Sequence, residues 1–465
     1  MERNNYRIIQ KYNFLLIFIL FPLLIFIDNC KSEDNLASKM DSNISVKKQT
    51  RESFSSPIPA LKLTKMRLFT GGRHLFRRTW ITAPGSVKNI DGLGPVFNRN
   101  SCSGCHVKDG RGRPPRESEE LRSMVFKLGL IRNNKSHPDP NYGIQLNDKA
   151  ILGVPFEGKI EVTYNLKKVI YSNGKEVFIS QPIYLLKKLS FGPLDKNTAI
   201  SGRVAPAVFG LGLIEAIDGE TIKNNADPED KNKDGISGKY NMVWDEPSKT
   251  KMIGRFGWKA SRGSLLHQIV GAAHEDMGLT SYVFPKQNCL SIQKKCLKQP
   301  NGGDPELSKK QINRLLLYIQ TLASPRQRNS EDKKILKGEN LFRSIGCEGC
   351  HTSTFKTSEH PTHPELSNKI IKPYSDFLLH DMGENLADHM PSFKASGSEW
   401  RTAPLWGIGL VEIVNKHTRF LHDGRAKSLE EAILWHGGEG KKSNELFMKL
   451  DKEERKLLLD FIKSL

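Results

Sequence analysis

Cys102-Ser103-Gly104-Cys105-His106 and Cys347-Glu348-Gly349-Cys350-His351 are two copies of one pentapeptide, Cys-x-x-Cys-His, in a chain of 465 residues that holds only seven cysteines. Thiols at this spacing can each add to one vinyl group of a haem, and the adjoining histidine then reaches the iron as an axial ligand. Zinc knuckles and disulfides also use Cys-x-x-Cys, but neither demands a histidine directly after the second cysteine. The pattern predicts two covalently bound c-type haems. Cys102, Cys105 and His106 hold the first, and Cys347, Cys350 and His351 the second, with His106 and His351 on the irons.

Arg3, Arg7 and Lys11 precede an apolar run from Phe14 to Ile27. That is the layout of a signal peptide, slightly short for a membrane span. The run ends at Asp28-Asn29-Cys30, where a lone cysteine resembles a bacterial lipoprotein cleavage and acylation site, although Asp28 and Asn29 replace the usual small residues. Residues 1–30 are therefore expected to be a lipoprotein signal peptide with lipidation at Cys30. An uncleaved anchor or a soluble secreted form is the alternative. The expected location is extracytoplasmic, a periplasm-facing, membrane-anchored lipoprotein. Residues 31–57 are rich in Ser, Lys and Asp and read as a flexible tether.

Cys289 and Cys296 remain, and in an oxidising compartment they are expected to form a local disulfide. The sharper alternative, a redox-active pair, finds only Lys294 and Lys295 nearby to lower a thiol pKa. The formal charge of +20 favours an acidic redox-protein donor or an anionic lipid surface. The lysines are spread along the chain, without the local cluster that would mark a nucleic-acid face.

An internal repeat organises the rest. Gly72-Arg73-His74-Leu75-Phe76 precedes the first haem motif as Gly338-Glu339-Asn340-Leu341-Phe342 precedes the second. Arg203-Val204-Ala205-Pro206, with Gly210, Gly212, Leu213 and Glu215, recurs as Arg401-Thr402-Ala403-Pro404, with Gly407, Gly409, Leu410 and Glu412. Phe256 and Trp258 followed by Ser264-Leu265 match Phe420 and His422 followed by Ser428-Leu429. The expectation is a mainly α fold of two cytochrome c-like haem domains, 58–325 and 326–465, with a small β insertion in the first.

That insertion is read from Lys159–Tyr164, Lys168–Tyr171 and Val177–Leu186, with Asn173-Gly174 as a type I′ hairpin signal. Asp230, Asn232, Asp234 and Gly235 follow the first half of an EF-hand loop, a calcium site weakened by Asn241 at the twelfth position, or else a solvated turn. Helices are expected from Ser308 to Leu322, from Ser330 through Phe342, and from Lys452 to the end, with their apolar stripes as core.

An iron with two strong axial ligands transfers electrons, whereas one left open can bind peroxide or oxygen. In the second copy His422-Asp423-Gly424-Arg425 leads into a helix from Ser428 that ends at Trp435-His436-Gly437-Gly438, placing His436 as a distal ligand. The same step from Trp258 lands on Ala272, which cannot ligate iron. Met382 and Met390 compete with His436, and His274 is an alternative ligand for the first haem. His380, His422 and Met277 are read as structural or supporting. His360, His363, His389 and His417 are expected to be exposed.

This order of motifs resembles the bacterial di-haem cytochrome c peroxidases and the di-haem enzyme that matures methylamine dehydrogenase. It is most similar to the branch labelled di-haem or thiol oxidoreductase, whose marks here are Cys105 to Pro115, Phe209 to Ile217, and the elements at His274 and His380. The peroxidases carry Met at the His436 position, so this chain departs from them, and the second haem should have a lower potential. The resemblance places Trp258 between the haems, Gln268 as an active-site residue, and Glu275 or Asp276 as a distal acid. It implies peroxide reduction at the N-terminal haem, with electrons entering at the C-terminal one. The competing readings are a di-haem oxidase of a protein or organic substrate, and a non-enzymatic electron-transfer or iron-uptake lipoprotein.

Overall fold

The duplication appears as one helix crossing made twice in the computed structural model, which describes residues 41–116 and 119–465. The signal-peptide reading, Cys30 and the first part of the expected tether lie outside the described residues. In chain order, the elements that position the site are α1 (Leu63–Arg77), β1 (Met124–Arg132), β2 (Lys159–Ile170), β3 (Glu176–Lys187), β4 (Thr198–Val204), α2 (Leu265–Met277), α3 (Lys309–Gln320), α4 (Lys333–Ser344), β5 (Leu379–Asp381), β6 (Glu399–Arg401), α5 (Leu429–Leu434) and α6 (Lys452–Ser464).

α1 packs on α3, and α4 on α6. The first pair buries Phe69 and Phe76 with Ile312, Leu315 and Tyr318, and the second buries Ile335 and Phe342 with Leu458, Phe461 and Ile462. A Cβ on Gly72 would stand 2.1 Å from the Arg314 carbonyl oxygen, and one on Gly338 2.1 Å from that of Leu457. The backbones touch at both crossings, which only glycine permits. Ser308 with Gln311, and Asp451 with Glu454, form capping boxes at α3 and α6. Asp332 rather than Ser330 caps α4.

The fold is nevertheless not mainly α and not cytochrome c-like. About 29 % of the residues are helical and about 19 % lie in strands, many of them in small sheets. β1 pairs antiparallel with β4 from Met124↔Val204 to Leu130↔Thr198, in a four-stranded sheet. β2 and β3 form a hairpin of twelve paired positions. Its turn differs from the type I′ expectation, because only Gly174, with φ +81°, enters the left-handed region while Asn173 does not. The physical reason is that strands run well beyond the expected hairpin, as in β1 and β4, and most others are two to four residues long, paired by tertiary contact rather than announced by alternation.

Ser42 to Leu465 is one compact unit. Ile44 and Phe54 are fully buried, and Ser45-Val46 pairs with Ser324-Pro325. The last part of the expected tether is therefore folded. The two copies also grip each other reciprocally: the Gly210 Cβ position lies 2.6 Å from the Trp406 ring, and the Gly407 Cβ position 2.8 Å from the Phe209 ring. No helix among the described residues is long and apolar enough to cross a membrane.

Candidate active site

Each Cys-x-x-Cys-His segment is a single tight turn, closed by His106 N–H to the Cys102 carbonyl and His351 N–H to the Cys347 carbonyl, at 3.0 and 2.9 Å. Both turns open on one cavity of about 490 Å³, lined by all four cysteines and both histidines. His106 Nδ1 donates to the Pro206 carbonyl at 2.7 Å, and His351 Nδ1 to that of Tyr374 at 2.9 Å. Such a bond fixes the tautomer and leaves the Nε2 lone pair for a metal. Burial pushes both imidazoles down to about 4, so both are neutral at pH 7. The four thiols are unpaired, and burial holds those of Cys102, Cys105 and Cys347 up at about 12.

The distal side separates the copies. Ser264 caps α2 by accepting from His267 N–H, and Ser428 caps α5 by accepting from Glu431 N–H. Ala272 and His436 stand at the same step beyond these caps, and both line the cavity. His436 Nδ1 donates to the Ala432 carbonyl at 2.8 Å, leaving Nε2 available as in the proximal histidines. Met382 also lines the cavity, and its Cε and His436 Cδ2 lie 3.3 and 3.2 Å from the Gly440 Cβ position, so the two side chains converge. Met390 packs against Gly129 instead. His274 turns away and stacks on Phe284 at 5.1 Å.

Trp258, Gln268, Glu275 and Asp276 all line the cavity, and the two acids differ. Glu275 is ion-paired to Lys127 and, at 2.7 Å, to Arg262. Although burial opposes it, these two cations hold its carboxyl at about 2. It is a fixed carboxylate. Asp276 accepts from Gln145 Nε2 at 2.8 Å, and burial pushes its pKa up. The Gln268 side chain has no hydrogen-bond partner among the described residues. Trp258 Nε1 donates to the Val204 carbonyl at 2.9 Å, and the ring is buried against Trp400 and Val204.

Trp400 was not expected from the sequence, and His380 and His422 were expected only in structural or supporting roles. Trp400 stacks on His422 at 3.7 Å with an 11° tilt, and both face the cavity. The signal was available, since Trp400 directly precedes the duplicated Arg401 where the first copy has Gly202. His380 is wedged between Asp376 at 2.7 Å and Glu439 at 2.6 Å, against the Cys350 sulfur at 3.6 Å. His360 and His363 are buried, not exposed: His360 lies 3.6 Å from Glu215, and His363 bonds Gln320.

In the calcium-like loop, Asp230 and Asp234 accept from the Gly235 and Ile236 amides, and Asn232 Nδ2 donates to Asp234. Asn241 is buried elsewhere, donating to the Lys259 and Ser392 carbonyls. No group of three or more His, Cys, Asp or Glu side chains among the described residues is arranged so that it could hold a metal ion. Cys289 and Cys296 form the expected disulfide.

A family model described as "di-haem oxidoreductase, putative peroxidase" matches residues 34–128 and 137–465. With nearly its whole length matched, the chain belongs to the di-haem oxidoreductase family. No curated protein matches the sequence. The family implies two haem groups, and the residues fit them. The cavity offers two sets of paired free thiols, neutral imidazoles and apolar walls. Arg111 lines it as a buried cation whose Nε lacks a partner, a ready donor for a propionate carboxylate.

Proposed function

We propose that this protein reduces hydrogen peroxide at the site around His106, with electrons supplied through the site around His351 by a small acidic redox protein. The observation that carries the reading is the contrast of Ala272 with His436 on equivalently capped helices. Cys102, Cys105, Cys347 and Cys350 would hold two c-type haems by thioether bonds, with His106 and His351 as proximal ligands. When bound, haem supplies an iron that exchanges electrons with an oxygen substrate.

The remaining work falls to side chains. His436 offers Nε2 to close the second site, whereas Ala272 leaves the first open. Gln268 offers an amide to orient a peroxide oxygen. Asp276, whose pKa burial raises, can take up a proton at a carboxyl oxygen and deliver it to the departing oxygen. Two electrons and two protons convert one peroxide into two waters, so protons must be resupplied from solvent after each turnover. Glu275 stays ionised and holds Lys127 and Arg262 in place. Trp258, in the wall of the cavity onto which both motifs open, is the aromatic bridge of this reading. The disulfide and the leader-like N-terminus support an extracytoplasmic lipoprotein anchored through Cys30.

Electron paramagnetic resonance with cyanide titration of the oxidised and one-electron-reduced protein tests this. One low-spin centre and one that binds cyanide in at least one state are expected, together with peroxide turnover by a reduced c-type donor. Two six-coordinate centres in both states would replace the reading with simple electron transfer.

A further inference from the structure

The segment that follows the first haem motif, Arg111 to Arg116, has one guanidinium in the main cavity, but its other cations point elsewhere. Arg113, Pro114, Pro115 and Arg116 form one wall of a second cleft, and Lys416, His417, Thr418 and Arg419 form the other, enclosing about 180 Å³. The walls come from different copies of the repeat. They are joined at the base by His417 Nε2 donating to the Arg111 carbonyl at 3.2 Å and by Asn415 Nδ2 donating to the Val107 carbonyl at 2.7 Å.

Four permanent cations meet there. Glu119 neutralises Arg113 through two hydrogen bonds of 2.6 and 2.8 Å. Arg116, Lys416 and Arg419 have no acidic partner among the described residues. His417 is not a further cation: burial first, then the charges of Arg111, Arg113 and Arg419, hold it down at about 4. Arg419 Nη1 also donates to the Arg425 carbonyl at 3.4 Å, but no carboxylate neutralises these three cations, and guanidinium and ammonium groups in a concave site bond phosphate and carboxylate oxygens with charge assistance.

We propose that this cleft binds an oxyanion, a phosphate or carboxylate group, that bridges Arg116 of the first copy to Lys416 and Arg419 of the second. An occupant ties together the two halves that share the haem cavity, and by mass action it stabilises the folded chain. The two sources of that chemistry are free phosphate and the carboxylates of an acidic polypeptide.

The test is calorimetric titration of the full-length holoprotein with inorganic phosphate and, separately, with a short Glu-rich peptide, at ionic strength fixed with chloride. Saturable binding of either is expected, with phosphate alone pointing to a free ion and the peptide alone to a protein partner. Arg116→Gln with Lys416→Gln, both on exposed side chains, should weaken it about tenfold or more. Lys333→Gln with Lys334→Gln removes the same charge from exposed positions on α4 and should leave binding within about twofold. Binding of neither ligand above the chloride background would overturn the proposal, as would equal loss in both double variants. Thermal melting with phosphate reads the same site without titration heats, and an unchanged phosphate-induced rise in the Arg116/Lys416 variant would also overturn it.

Discussion

Glu275→Gln isolates the charge at the centre of the proposed reactive site while nearly preserving its shape. In the folded protein the carboxylate is 14 % exposed and is held by Lys127 and Arg262, so its pKa falls from 4.5 to about 2. At about 1.4 kcal/mol per tenfold change in the protonation equilibrium, that difference is worth roughly 3 kcal/mol of folding stability. A depressed carboxyl pKa stabilises the fold fully above the unfolded value, and the contribution disappears as the pH falls from about 4.5 to about 2. Glu275→Gln should therefore cost roughly 3 kcal/mol at pH 7, and the gap to the unsubstituted protein should close progressively below about pH 4.5. Urea denaturation of the holoproteins, followed by far-ultraviolet circular dichroism at several pH values, measures it. A gap below about 1 kcal/mol at pH 7, or one constant down to pH 3, would refute the claim that Lys127 and Arg262 keep this acid ionised.

His436→Ala should convert the low-spin resonance of the second centre to high spin, and Met382→Ala should leave it in place; the opposite pattern would assign the ligand to Met382. Asp276→Asn should lower peroxide turnover about a hundredfold while cyanide affinity changes less than about threefold, and unchanged turnover in stopped-flow assays would remove Asp276 from proton delivery. Gly338→Ala should destabilise the protein by about 3 kcal/mol or more in urea melts, because its Cβ meets the Leu457 carbonyl 2.1 Å away.

What was legible in the sequence is what local chemistry dictates. The two Cys-x-x-Cys-His motifs keep one fixed spacing, Gly72 and Gly338 mark the same place in the repeat, and caps such as Ser428 precede their helices. These features repeat, so the duplication itself was readable. Contacts between residues distant in the chain carry no such local mark. Trp400 on His422, His380 on Glu439, and His360 beside Glu215 each join residues brought together by the tertiary fold. The polar surroundings of His360 and His363 in sequence suggested solvent, but Glu215 and Gln320, both distant in the chain, meet these two rings and make their burial tolerable. Much of the strand content was missed for a related reason, since two-residue strands have no periodicity to read, while β1 and β4, which pair with each other along seven positions, lay outside the runs that were read.

The duplication also explains how one site can change while its partner does not. Ser264 and Ser428 close the same cap, and the antiparallel bridges Phe256↔Arg262 and Phe420↔Ala426 hold the same loop ahead of it. The backbone that delivers positions 272 and 436 is thus built without help from the side chain there, so either alanine or histidine can stand at that step with the local scaffold intact. The reverse holds at Trp400, where the first copy has only Gly202. Its Cβ position lies 2.4 Å from Met124 Cε and 2.6 Å from the Tyr184 hydroxyl, because the β2–β3 hairpin occupies the space that an indole would need. The insertion that enlarged the first copy thus excludes a second indole at that register, and Trp400 can enter the shared cavity only from the second copy, the one that carries His436.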